Sequence, residues 1–407
     1  MVALALGLSI RAAATRTGGG SAVLVSDGVL LLAATNKLEI RDTVTPANNY
    51  SGVPEAKITT TRASTAYYYD SAGVLQTSAI NTHRLDYDPR LGGLCGYLTE
   101  DARVSVVRWS HDLTNVVWTP TNLTAVKDQT GPDGVANSAT KITATGVNGI
   151  ILQTTTIASS ARWQSVFVKR LVGSGAVAMT MDNVTWTDVA VTAGWTRVEI
   201  PGQTLANPTV GLRLAVSGDS IAVWCMQNEN GLGASSPVLT TSAVSTTRAA
   251  DVPKLTTSQF PHNAAEFTLY AKVATAYDVP SGNMVALSVD DSAGATKIVQ
   301  LYKGSVSKRV ELIQYDTGLV ANITGTNTWA NLVAFKIAGG IKLNDTCAAV
   351  SGDPDKASDT VCTVPAVDRL TFGAKTVPTA SVLSGWLFEA MYLPVRKTNA
   401  ELRTMVS

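Results

Sequence analysis

The feature that most constrains this chain is a two-residue apolar alternation that recurs in short runs, each closed by Gly, Asn or Pro. Val210, Leu212, Leu214 and Val216 alternate with Gly211, Arg213 and Ala215, so one face of an extended segment is apolar and the other is not. Similar runs occupy 164–169, 176–181, 196–200 and 221–227, then 267–273, 285–289, 331–337 and 368–373, while 385–393 reads as a central strand closed by Pro394. Short strands at this spacing predict antiparallel sheets stacked as sandwiches. One helix signature stands against them: Thr398, followed three positions later by Glu401, forms a capping box at the end of the chain. The expected fold class is all-β, with two tandem antiparallel β-sandwiches.

Composition narrows the function classes. Charged residues make up 15% of the chain, well below the average of about 25%. A formal net charge of +1 and only isolated basic pairs, such as Lys308-Arg309 and Arg396-Lys397, argue against nucleic acid as a partner. No apolar run reaches the roughly 20 residues that span a bilayer, so no membrane insertion is expected. The apolar stretch 2–10 lacks a positive leader and reads as a buried strand or docking segment. Cys95, Cys225, Cys347 and Cys362 lack zinc-site spacing. They read as reduced, buried thiols, although Cys347 and Cys362 could face each other across a hairpin.

Five stretches follow from the turn signals. Residues 1–56 contain the glycine run 18–20 and the apolar Val29-Leu30-Leu31-Leu32, which is too short to bury itself and either docks elsewhere or adds strands to a neighbour. Residues 57–97 read as a hairpin-rich connector, with a turn at Ser71-Ala72-Gly73. Residues 98–230 form the first strand series. Residues 231–263, rich in Ser and Thr, read as a linker. Residues 264–407 form the second series.

Three phrases in the middle of the chain resemble bacteriophage head-spike, head-fibre or tail-fibre proteins. They are Ile58-Thr-Thr-Thr-Arg62-Ala-Ser-Thr-Ala-Tyr67, Arg84-Leu-Asp86-Tyr-Asp88-Pro89 with Gly96-Tyr-Leu-Thr-Glu100-Asp101, and Trp109-Ser-His-Asp-Leu-Thr-Asn-Val-Val-Trp118. The last resembles the opening of a carbohydrate-binding-module-like jelly roll. Gln227-Asn-Glu229 and Thr247-Arg248-Ala-Ala-Asp251 are similar to its close. The matching phrases cover about residues 57–251; at 103–106 the usual Arg-Thr-Asn-Leu is replaced by Arg-Val-Ser-Val. Residues 264–407 resemble a laminin-G or concanavalin-A-like sandwich, on pattern more than on motif. The resemblance implies that 1–56 is a virion-attachment segment, with the sandwiches displayed on the particle surface after assembly in the host bacterial cytoplasm. It also implies contacts with other capsid or tail proteins and a self-associated form such as a homotrimer.

Candidate sites follow from side-chain chemistry. Sugars stack on aromatic faces beside hydrogen-bonding groups, which selects Trp163, Trp186 and Trp195, with Asp182, Asn183 and Asp188 around Trp186. Trp118, Trp224 and Trp386 read instead as core residues. In jelly rolls of the resembled kind a structural calcium can sit near the first and last strands, which would implicate Glu100, Asp101 and Glu229. Asp353 and Asp355 form another acidic loop. Leu30, Leu31 and Leu32, with Tyr67, Tyr68 and Tyr69, are candidates for an attachment or oligomer interface.

Catalysis is not expected. Glycoside cleavage needs two facing carboxylates, yet Glu389 stands alone on its strand and Asp290-Asp291 point to opposite faces. Three histidines and no Gly-x-Ser-x-Gly elbow leave no basis for a hydrolytic triad. The expected function is a structural, non-enzymatic virion surface protein that helps attach to host-surface polysaccharide. Its rivals are a tailspike enzyme that cleaves such a polysaccharide and a secreted bacterial adhesin.

Overall fold

The computed structural model describes residues 58–93, 96–279, 282–292, 296–353, 358–375 and 381–407, together with the backbone of strands 29–32 and 39–42. The glycine run 18–20, Cys95, Asp355 and the side chains of Leu30, Leu31 and Leu32 lie outside the described residues. The chain folds as two β-sandwiches built from antiparallel sheets, with one α-helix among the described residues, Asn399–Val406. No described helix is long and apolar enough to cross a membrane.

In the middle sandwich, a seven-stranded sheet centred on Ser160–Val172 and Ser220–Asn230 faces a five-stranded sheet that includes Val177–Thr180 and Thr209–Leu214. Val166, Val168, Ile221 and Val223 meet Val177, Met179, Val210, Leu212 and Leu214 in its core. The alternation at 210–214 therefore points inward as expected. Along Ser220–Asn230 the alternation breaks at Cys225, where φ is +50° and pairing with the neighbouring strand slips. A bulge at this point reverses which residues face out. Trp224, Gln227 and Glu229 thereby share the sheet's outer face with Cys225, while Met226 enters the core.

The C-terminal sandwich stacks an eight-stranded sheet on a seven-stranded one. Phe267, Leu269, Ala271 and Val273 alternate into its core, opposite Leu287, Val289, Val299, Leu301 and Leu312. Gly385–Leu393 is a central strand, as its largely apolar run predicts, flanked by Glu266–Thr275 on one side and by Val29–Leu32 and Gly96–Thr99 on the other. Behind this sheet the short helix seats Leu402, Met405 and Val406 against Tyr270, Met391 and Leu393. The Thr398 hydroxyl accepts from the Glu401 N–H, and Glu401 reaches back to the Thr398 N–H, which is the capping box read from sequence.

The C-terminal sandwich draws strands from far upstream. Thr59–Thr61 and Val252–Thr256 complete its seven-stranded sheet, and Leu85–Asp86 and Gly96–Thr99 join its eight-stranded sheet. The chain then crosses into the middle sandwich at residues 100–102 and returns at 249–251. The stretch 231–263, read as a linker, carries two strands, Thr246–Arg248 and Val252–Thr256. Ser105 pairs with Thr246 and Arg103 with Arg248, so the outgoing and returning segments run side by side.

Candidate functional site

Residues from the phrases at 58–67, 84–101, 227–229 and 247–251 converge where those two segments cross. Asp251 accepts from Arg62 at 2.8 Å and from Arg84, and Glu100 accepts from Arg84 at 2.8 Å and from Arg248. The Glu100 N–H donates to Asp251 Oδ2 at 3.0 Å, which ties one crossing to the other. Ser236 adds its N–H and hydroxyl to Glu100. Alongside, Arg103 lies 3.0 Å from Asp101 and 4.0 Å from Glu229, under the ring of Tyr277. Glu229 accepts from the Ser235 N–H and hydroxyl at 2.8 and 2.7 Å. Arg62, Arg84, Arg103 and Arg248 are among the largest fully buried side chains of the protein.

Charges this deep persist only when each is met by an opposite charge or by hydrogen bonds. Here four guanidinium groups meet four carboxylates. The guanidinium groups of Arg248 and Arg84 hold the Glu100 carboxyl well below the ordinary carboxylate range, against the upward push of burial. Glu100, Asp101 and Glu229, expected as a calcium set, thus sit among arginines that supply the positive charge a cation would bring. Among the described residues no group of three or more His, Cys, Asp or Glu converges as a metal site. The junction is structural; its arginines stood in the sequence only as members of the resembling phrases, because Arg62 and Arg84 lie just outside strands and Arg103 and Arg248 in strands of three residues, too short for a local pattern to mark a buried charge.

The saccharide candidates fall in two places. Asp182, Asn183, Trp186 and Asp188 lie beside the five-stranded sheet. Asp182 Oδ1 accepts from the Val184 and Thr185 N–H groups and shapes the loop, with Asn183 at φ +60°. The Arg213 guanidinium lies 4.8 Å from the centre of the half-buried Trp186 ring, so a cation already covers one face of the indole. Trp163 and Trp195 belong to the other sheet.

There the strand Thr196–Leu205 sends Val198 and Ile200 into the core and leaves Arg197 and Glu199 on the outer face, just after Trp195. Phe167 is opposite Arg197 and Ser165 opposite Glu199 on the neighbouring strand. Over this face lies the hairpin of Ala66–Tyr69 and Leu75–Ser78. Tyr67 meets Trp224 edge to face with ring centres 5.5 Å apart, and Phe167 meets the same indole at 5.4 Å. Tyr67 and Tyr69, read as an intermolecular edge, thus pack against this chain's own Trp224–Phe167 cluster, and Tyr68 is half-buried.

Beside the hairpin opens a groove of about 720 Å³, lined by Tyr69, Asp88, Arg90, Trp195, Arg197 and Glu199 and by the turn 131–134. Its size falls within the roughly 300–1,000 Å³ typical of small-ligand sites. Its polar groups are held in place from within. Arg90 grips Asp88 through Nε at 2.9 Å and Nη2 at 2.8 Å, Arg197 donates to the Ser165 hydroxyl at 2.9 Å, and Trp163 Nε1 donates to Glu199 at 2.6 Å. Burial pushes the Tyr69 phenol up to about 12, so it remains protonated at neutral pH. The structure thereby brings together Tyr69 and Trp195, two candidates with nothing in sequence order to pair them, with Trp163 acting through Glu199. Aromatic faces beside fixed donors and acceptors suit a polyhydroxylated ligand.

Elsewhere the titratable residues are engaged structurally. His262 meets the Tyr392 hydroxyl at 2.9 Å, His111 meets Lys127 at 3.2 Å, and Glu389 accepts from Tyr270 at 2.9 Å. Trp118, Trp224 and Trp386 are buried, as expected.

No protein-family model matches the chain, and no curated protein matches it. Among solved structures it is similar to a sialidase of Trypanosoma rangeli in complex with the inhibitor DANA, at 11% identity and a TM-score of 0.30, over 66% of this chain and 60% of that one. It is also similar to domains LG4-5 of the mouse laminin α1 chain, at 10% identity and 0.23, over 61% and 87%. A truncated AlyQ with CBM32 and alginate lyase domains gives 11% identity and 0.24, over 71% and 98%. At these scores the likeness does not bear on what the chain binds.

Proposed function

We propose that this protein is a structural, non-enzymatic subunit of a bacteriophage particle surface, and that its middle sandwich holds host-surface polysaccharide in the groove beside Trp195. The observation that carries the binding reading is the groove itself, in which Tyr69 and Trp195 stand among charged side chains fixed by intrachain bonds. Pre-set side chains lose little freedom on binding, which favours affinity for a flexible glycan. The virion reading is supported by the ordered phrases across residues 57–251. On that reading the protein assembles in the host cytoplasm, associates with itself and with capsid or tail proteins, and displays the groove outward.

A glycan array of host surface polysaccharides tests the binding reading. The expected result is a signal that Trp195→Ala weakens at least tenfold, since loss of one stacked aromatic removes about 1.4 kcal/mol or more. No signal with any host polysaccharide would leave only an architectural role. Because Asp88 and Glu199 line the same groove, cleavage is the rival to measure in parallel. Release of oligosaccharide that Glu199→Gln abolishes would replace the non-enzymatic reading.

A further inference from the structure

In the C-terminal sandwich one buried amine is surrounded by groups from both sheets. Lys303, on strand Lys297–Gly304 of the seven-stranded sheet, has a side chain 0% exposed. Its Nζ donates to Thr275 Oγ1 at 2.9 Å and to Asn331 Oδ1 at 3.0 Å. Thr275 ends strand Glu266–Thr275 of the opposite sheet, and its hydroxyl donates to the same Asn331 Oδ1 at 2.7 Å. Leu332, at φ +64°, donates its N–H to the Thr275 carbonyl at 2.8 Å and so fixes the backbone next to Asn331. Asp278 Oδ1 stands 3.8 Å from Nζ, while its Oδ2 is held by Lys308 at 2.8 Å.

A lysine buried this completely ordinarily closes on a carboxylate. Here the two groups within hydrogen-bond distance are a hydroxyl and a carboxamide, and the carboxylate stands further off. Together they are the parts needed for acyl transfer: an amine against an amide carbonyl, a hydroxyl donor on that carbonyl oxygen, and a nearby base.

We infer that Lys303 and Asn331 become joined by an intramolecular isopeptide bond after the chain has folded. The Asp278 carboxylate takes a proton from the Lys303 ammonium, and the freed Nζ attacks Cγ of Asn331. Negative charge develops on Oδ1, where the Thr275 hydroxyl already donates. The tetrahedral centre collapses with cleavage of the Cγ–Nδ2 bond. The departing nitrogen takes one proton from the attacking amine and one from Asp278, and leaves as ammonium. One Nζ–Cγ amide has formed and one Cγ–Nδ2 amide has broken, with no change in oxidation state. Burial brings the Lys303 amine down to about 8, so about a tenth of it is neutral at pH 7 without assistance. The new bond would tie the seven-stranded sheet to the turn at Asn331 that leads into the opposite sheet, across 28 positions of sequence.

Intact-mass measurement of the full chain after incubation at pH 8, with peptide mapping, tests this. The expected result is a mass about 17 Da below that of the sequence, the loss of one ammonia, and a branched peptide containing Lys303 and Asn331. Lys303→Met and Asn331→Ala are each expected at their full sequence mass, and Asp278→Ala is expected to convert more slowly. A wild-type chain at full mass would overturn the inference, and so would a loss of ammonia that persists in Lys303→Met. If a variant fails to fold, the wild-type peptide map alone decides.

Discussion

Asp86 shows how one residue can set the pH response of the protein. It is buried, and its carboxylate accepts from Trp386 Nε1 at 2.7 Å and from the Tyr69 N–H at 2.6 Å, so it joins the hairpin to the C-terminal sandwich. Burial, with the nearby Asp88 adding to it, lifts this carboxyl from 3.8 to about 7. The folded state therefore binds the proton more tightly than the unfolded chain. The associated stability is fully present below the unfolded value near 4 and is lost as pH rises through 7, a change on the order of 4 kcal/mol. Thermal melts are expected to fall between pH 5 and 8, and Asp86→Asn is expected to flatten that fall; an unchanged slope in the variant would assign it elsewhere. Asp86 stood in the sequence only as part of the Arg84–Pro89 phrase. Its burial depends on Trp386, 300 positions away, a distance over which local pattern carries no information. The core tryptophans were legible, because Trp118, Trp224 and Trp386 stand in or beside strand-like runs.

At the scale of elements, alternation located the central strands of both sandwiches, such as Thr209–Leu214 and Glu266–Thr275, but not Leu123–Gln129, Ala139–Ala144 or Gly149–Thr154. It passed over Lys297–Gly304, Arg309–Asp316 and Leu319–Thr328, where Lys, Glu, Gln and Asn interrupt the pattern. Tertiary pairing holds these strands more than their own propensity does. The run read at 331–337 begins as a strand only at Phe335, because Leu332 takes a left-handed turn first. The start of the helix was legible, since its signal is a local hydrogen-bond exchange between Thr398 and Glu401. Thr398→Ala removes that cap and is expected to cost about 1 kcal/mol, read as a lower denaturant midpoint with the slope unchanged. Breaking only an exposed hydrogen bond without destabilising the helix would instead leave the midpoint in place.

For the whole molecule, the four-arginine junction predicts that the two sandwiches melt together. Calorimetry of the intact chain is expected to show one transition. Asp251→Asn leaves the buried Arg62 without its carboxylate and Arg84 with Glu100 alone, a loss of about 3–5 kcal/mol, and is expected to split or broaden that transition. Two separate peaks in the wild type would mean that the junction does not couple them. Most residues of this junction stand in the motif phrases, but there only as marks of resemblance, because nothing in sequence order shows that Arg62, Glu100, Arg248 and Asp251 meet. The topology carries a further consequence. Since the middle sandwich leaves and re-enters the C-terminal body through adjoining strands, at Arg103–Ser105 and Thr246–Arg248, it is a cassette plugged in at a single socket. A different module spliced in at those neighbouring points would change what the protein recognises while the host body kept its own strands.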